Sequence, residues 1–246
     1  MRVPVDTIAA PLFPTKLPWV NVSGPQASIQ RGRPMLVEFW DFCRPNSLRT
    51  LPYVKAWHER YSQAGLRVIG VHSPGFDASR EEQGVRDAVA RLEIPYPVLI
   101  DSELSVWSDY ENVGWPARYL FDGRGRLFDY HYGEGAYEET ELAIQELLDV
   151  RREPLEPLRP EDEPDARLAA QTADQAGAYS GPYEAGGVWA VLDGPGVLYV
   201  NGAEVTIPSA GAHQLIEHAR HTHAVLDLTA GDGVDCVATC FTPGLA

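Results

Sequence analysis

Cys43 stands between an apolar run, Met35 to Trp40, and a helical pattern opening on Pro45, a junction at which a thiol can do chemistry. With Pro45 at the first helical position, Arg44 becomes the N-cap and Ser47 the third helical residue. Cys43 then lies just outside the turn whose N–H groups stabilise a thiolate, and Arg44 and Arg49 add positive charge that favours it. Exchange between a dithiol and a disulfide needs an attacking thiolate and a resolving thiol within reach. This segment holds one thiol, so mixed-disulfide formation or oxidation by peroxide at Cys43 is the most it supports. The competing reading is a buried bystander cysteine.

Four histidines make the second cluster: His213, His218, His221 and His223, with Glu217 among them. Imidazole and carboxylate are zinc ligands, and His221 and His223 point the same way on an extended strand. The set straddles an expected loop and has no suitably spaced cysteine, so the expectation is no metal and no cofactor. His58, His72 and His131 read as structural. Glu138 and Glu139 read as charge at a helix start, without a second carboxylate placed for acid–base work.

Cys236 and Cys240 sit four apart in an expected strand. About 3.3 Å per residue puts their Cα atoms roughly 13 Å apart, beyond the ~7 Å that a disulfide tolerates. They read as two small buried hydrophobes on one strand face.

The elements that position these residues follow from pattern. Leu17 to Val22 and Met35 to Trp40 read as strands, and Leu48, Leu51, Val54, Trp57 and Tyr61 mark a helix that Gly65 stops and Pro52 kinks. Arg67 to His72 is a buried strand, Ser79 is the expected cap of a helix to Leu92, and Pro97 to Ile100 and Leu104 to Tyr110 give a strand and a short helix. Arg118 to Phe121 and Leu127 to Tyr132 flank Asp122-Gly123-Arg124-Gly125 as a hairpin. Glu138 to Val150 closes the unit as a helix with Leu142, Leu147 and Leu148 inward.

From 153 to 175 proline and acid dominate, which reads as a linker. Beyond it come short strands at Val188 to Leu192, Val197 to Val200, Ala203 to Ile207, Gln214 to Glu217, Ala224 to Leu228 and Cys236 to Phe241, with Asn201-Gly202 as a type I′ hairpin turn. The expected organisation is therefore an α/β domain at 1–152, the linker at 153–175 and a small antiparallel β-sandwich at 176–246.

Over residues 12 to about 150 the chain resembles the TlpA/DipZ-like branch of thioredoxin-fold proteins. The likeness rests on Leu17-Pro18-Trp19-Val20-Asn21-Val22, Leu48-Arg49-Thr50-Leu51-Pro52-Tyr53, Val68-Ile69-Gly70-Val71-His72-Ser73-Pro74, Trp115-Pro116-Ala117-Arg118-Tyr119-Leu120 and Gly133-Glu134-Gly135. The resemblance implies a thioredoxin-like fold, with a β domain similar to the one that follows it in DipZ-like proteins. It also implies a Cys-x-x-Cys site whose cysteine positions here hold Arg44 and Ser47, and a cis-proline at Pro116 facing that turn. The groove between Arg44-Pro45-Asn46-Ser47 and Trp115-Pro116 would then take a peptide or small ligand, with an anionic group favoured near Arg44. A peroxiredoxin would carry Pro and Thr or Ser shortly before its cysteine, where Leu36 and Trp40 stand.

A net charge of −15 repels nucleic acid and anionic lipid. No apolar stretch is long enough for a transmembrane helix, and acid and prolines interrupt Met1 to Pro14 where a signal peptide would be apolar, so the expected location is cytoplasmic. Two functions remain: a redoxin-like protein using Cys43 as a lone thiol, or a redox-inactive binding module whose β domain adds a partner surface or holds a homodimer.

Overall fold

The computed structural model describes residues 8–22 and 32–246. The expectation for the N-terminal segment falls in part on residues 1–7, outside that range. The chain divides into two compact units. The first takes residues up to Asp41, Asn46–Pro74 and Arg80–Glu156; the second takes Phe42–Pro45, Gly75–Ser79 and Pro157–Ala246.

In the first unit the order is β1 (Trp19–Val20), β2 (Met35–Trp40), α1 (Pro45–Tyr61), β3 (Arg67–His72), α2 (Glu82–Arg91), β4 (Val98–Ile100), α3 (Ser105–Asp109), β5 (Ala117–Phe121), β6 (Leu127–Tyr132) and α4 (Tyr137–Leu148). The six strands form one sheet in the order β1-β4-β3-β2-β5-β6. The pairs β2–β3 and β3–β4 are parallel, whereas β1, β5 and β6 run antiparallel to their neighbours. Every residue of β2 is buried, as a central strand covered on both faces requires. Met35, Val37, Phe39, Ile69, Val71 and Leu99 pack with Tyr110, Tyr119 and Phe121 on one side of the sheet.

Two local expectations are corrected. Ser79 does not cap α2: its hydroxyl donates to the Phe76 carbonyl at 3.0 Å and closes a single 3₁₀ turn, Asp77–Ser79, before the helix starts. Leu142 faces outward at 47% exposed, while Glu141 is buried at 1%. The reversal is a matter of hydrogen bonding. The Glu141 carboxylate accepts from Trp57 Nε1 (3.2 Å), Tyr61 Oη (2.6 Å) and the Leu155 amide (2.9 Å), with Arg60 Nε 3.2 Å away. Three hydrogen-bond donors and one cation from outside its own helix outweigh the apolar face that α4 would otherwise bury.

The second unit is all β apart from a 3₁₀ turn at Pro160–Asp162 and the turn at Asp77–Ser79. Its strands are β7 (Leu168–Ala169), β8 (Gln175–Ala176), β9 (Gly181–Leu192), β10 (Gly196–Val200), β11 (Ala203–Ile207), β12 (Gly211–Leu226), β13 (Leu228–Ala230), β14 (Cys236–Thr242) and β15 (Gly244–Leu245). They form sheets ordered β11-β10-β13, β12-β9-β14-β8 and β15-β7 around a core that includes Ala190, Leu192, Leu198, Leu226 and Phe241. Asn201 (φ 51°) and Gly202 (φ 80°) take the two left-handed positions of the β10–β11 turn. Within the Pro/acid stretch, Leu168–Ala169 pairs with Gly244–Leu245.

Two irregularities correct the reading of this unit. Residues 211–226 form one continuous strand rather than two strands and a loop, because β12 absorbs its extra residues as register shifts at Gln214/Ile216 and Glu217/Thr222. On β14 a bulge lies between Cys236 and Ala238, where Cys236 opposes Leu192 but Ala238 opposes Val191. The extra residue reverses the alternation, so Cys236 packs on the Leu192 core while Cys240 pairs with Trp189 and turns to the other face.

Candidate functional site

α1 begins at Pro45, which places the Phe42-Cys43-Arg44 turn directly after β2 and Ser47 in the first helical turn. Cys43 is 0% exposed and is in no disulfide, as are Cys236 and Cys240. Ser47 is also 0% exposed, and its hydroxyl accepts the Asp41 amide at 3.2 Å, tying the helix start to the end of β2. Asn46 is exposed and Arg44 half-buried. The Arg44 guanidinium lies 4.5 Å above the Phe76 ring and donates to the Gly75 carbonyl at 3.4 Å.

The Trp115–Pro116 bond is cis. Pro116 is buried and its carbonyl accepts the Gly133 amide at 2.8 Å. The half-buried Trp115 ring packs at a tilt of 32° against Trp107, with ring centroids 4.1 Å apart, and donates through Nε1 to the Ser73 carbonyl at 2.8 Å. Asp101 organises this neighbourhood. One of its carboxylate oxygens accepts the Val106 amide (3.0 Å) and Ser105 Oγ (3.1 Å), the other the Trp107 amide (2.9 Å) and Ser73 Oγ (3.1 Å). Asp101 thus caps α3 and fixes the tryptophan pair. Sequence reading passed over it, because Asp101 lies four residues before Ser105, outside the N-cap position that the capping preference marks.

The central strands of the sheet carry buried ionisable groups. Asp41 and His72 are fully buried, with His72 Nε2 3.6 Å from Asp41 Oδ1. Three residues before Asp41, Glu38 on β2 faces Arg118 on the neighbouring strand β5. Tyr96 Oη donates to Glu38 at 3.3 Å, and Arg118 Nη2 donates to the Gly135 carbonyl at 2.5 Å. Burial raises the Glu38 carboxyl to about 8 despite the opposing pull of Arg118 and the Tyr96 hydrogen bond, and burial lowers Arg118. A carboxyl that binds its proton more tightly folded than unfolded contributes stability that is full below the unfolded value near 4.5 and is lost as the pH rises toward 8. Chemical denaturation from pH 4.5 to 8 should show that decline in the wild type and a flatter profile in Glu38→Gln; an unchanged slope would assign the decline elsewhere.

The first unit also holds an open cavity of about 610 Å³ lined by Tyr110, Tyr119, Tyr130, Tyr132, Asp109 and Glu111 among others, which the sequence did not flag. In the second unit, the structure brings His221 and His223 to Glu184, a residue absent from the expected ligand set. His213 and His218 are engaged elsewhere, with the Ser209 carbonyl and Tyr183 Oη. No helix among the described residues is long and apolar enough to cross a membrane.

The mixed sheet, with the βα turn at 42–47 and the hairpin following the cis-proline segment, defines a thioredoxin-like fold. A solved thiol-disulfide isomerase from Corynebacterium glutamicum superposes with a TM-score of 0.51 at 24% identity, covering 58% of this chain and 98% of its own. Protein DipZ of Mycobacterium bovis is 32% identical over 197 residues, covering 74% of this chain and 28% of DipZ. The thiol-disulfide oxidoreductase YkuV of Bacillus subtilis is 25% identical over 130 residues, 53% of this chain and 87% of YkuV. No family model matches. The chain is a TlpA/DipZ-like thioredoxin-fold redoxin, and it spans little more than a quarter of the DipZ relative's length.

Proposed function

We infer that this redoxin carries out no dithiol exchange and uses the start of α1 and the Trp115-Pro116 segment as a binding module for a peptide or small molecule. The observation that carries the reading is the state of the one nearby thiol. Arg44 and Ser47 occupy the positions of the family's cysteine pair, and Cys43 is 0% exposed. A thiolate nucleophile needs access, and exchange needs a second thiol. The lone-thiol alternative at Cys43 would require the junction to open before each reaction.

Binding is supported by exposed Asn46 and half-buried Arg44 and Trp115. A helix start with its unpaired N–H groups favours a carboxylate or other anion. The overall charge of −15 keeps nucleic acid and anionic membranes out of the partner set and accords with a cytoplasmic setting. A ¹⁵N-labelled sample titrated with a pool of extended peptides should show shifts at the Asn46 amide and the Trp115 indole. They should persist in Cys43→Ser and weaken in Arg44→Ala. Shifts confined to other regions, or abolished in Cys43→Ser, would refute the binding module.

A further inference from the structure

We propose that Glu184, His221 and His223 form a binding site for a single divalent transition ion, zinc foremost, on the β9–β12 pair of the second unit. Glu184 and His223 are direct cross-strand partners. His221 lies two residues back along β12, on the same face. His221 Nε2 is 3.5 Å and His223 Nδ1 3.3 Å from the same carboxylate oxygen, Glu184 Oε2, and the three ligand atoms all lie within 4.8 Å of one another. Both contacts exceed the usual N–H···O range of about 2.7–3.2 Å. They match a different geometry: ligands about 2.1 Å from a tetrahedral ion sit about 3.4 Å apart.

The backbone holds these groups in place before any ion arrives. Between Glu217 and Thr222 the register shift sets residues 218–221 against the single residue Gly186. Having no side chain, Gly186 leaves room over that position, and β15 fills it. A Cβ on Gly186 would come 2.6 Å from Gly244 Cα, and one on Gly244 would come 2.7 Å from the His221 amide nitrogen. The His221 backbone is therefore clamped by two glycines that tolerate no side chain. Glu184 is fixed from its other edge, its amide donating to Thr172 Oγ1 (2.9 Å) and its carbonyl accepting the Thr172 amide (2.8 Å).

Exposure divides the labour. The His221 side chain is 12% exposed, and its Nδ1 is buried without a hydrogen-bond partner, leaving Nε2 as the nitrogen directed at the carboxylate. Glu184 and His223 are 45% and 76% exposed, so the ion would enter from solvent and keep water in its remaining position. Two imidazoles and one carboxylate suit zinc and its neighbours, whereas magnesium and calcium prefer all-oxygen shells.

The test uses the full chain, stripped with a chelator and titrated calorimetrically with Zn²⁺ alone. One ion per chain should bind, with affinity at least about tenfold lower in His223→Ala and in Glu184→Gln and unchanged in His213→Ala. His223 is exposed, so its replacement leaves the fold intact. Co²⁺ in place of zinc should give the visible bands of a tetrahedral nitrogen–oxygen site. Absence of binding, binding that survives both substitutions, or a sulfur-to-cobalt charge-transfer band pointing to the cysteines would each overturn the proposal.

Discussion

Insulin incubated with dithiothreitol should be reduced no faster in the presence of the wild-type protein than in its absence, and Arg44→Cys/Ser47→Cys should raise that rate by more than about tenfold. The first half follows from a fully buried Cys43 that is in no disulfide and from a 42–47 turn that holds a single cysteine. The second follows from the scaffold. Residues 44 and 47 bracket the first turn of α1, where Cβ atoms three residues apart lie about 5–6 Å from one another before adjustment, near the span a disulfide closes. A cysteine at position 44 would be half-exposed at a helix N-terminus, which lowers a thiol's pKa, and one at 47 would sit buried as the resolving partner. Thioredoxin-like turnover by the wild type would show that the cysteine positions have been misassigned. A double variant that forms the disulfide yet stays at the blank would show that access, rather than the missing pair, limits the chemistry.

The largest stability effect is expected at Glu141. Its carboxylate is 1% exposed and satisfies Trp57 Nε1, Tyr61 Oη and the Leu155 amide, with Arg60 Nε alongside. Glu141→Ala removes the acceptor and leaves those donors buried around a void. Breaking a buried charged network of this kind costs about 3–5 kcal/mol, a large part of a domain's total. Glu141→Gln should cost less, because one oxygen still accepts while the amide NH₂ opposes the donors on the other side. Urea denaturation would measure both, and a loss below about 1 kcal/mol in Glu141→Ala would mean that water replaces the carboxylate at little cost.

Much of the scaffold was legible because its signals are local. The apolar run of β2, the 3–4 spacing of α1, Gly65 at the helix end (φ 111°) and Asn201-Gly202 each state their conformation within a few residues. The misreadings share a cause in partners distant along the chain. Glu141 is buried by donors on α1, about 80 residues earlier, so α4's own periodicity pointed to the wrong face. The length of β12 was hidden because its bulges interrupt the alternation that marks a strand, and its histidines are only partly buried. Glu184 escaped notice for the same reason, since its place beside His223 depends on a register set across 39 positions of sequence by the β9–β12 pairing. At the 42–47 turn the single cysteine was visible, whereas the choice between a reactive Cys43 and a buried one was left open until the structure placed it at 0% exposed.

The bulge at Cys236 has a practical outcome for anyone following this protein's motions. By splitting the two sandwich thiols between faces, it gives the chain three intrinsic labels in three settings: Cys43 sealed at the βα junction, Cys236 partly accessible on the core face, and Cys240 on the far face, its thiol pushed up to about 12 chiefly by burial. An alkylating reagent should therefore mark Cys236 first. The delays at the other two positions then time two separate breathing events, with no engineered probe.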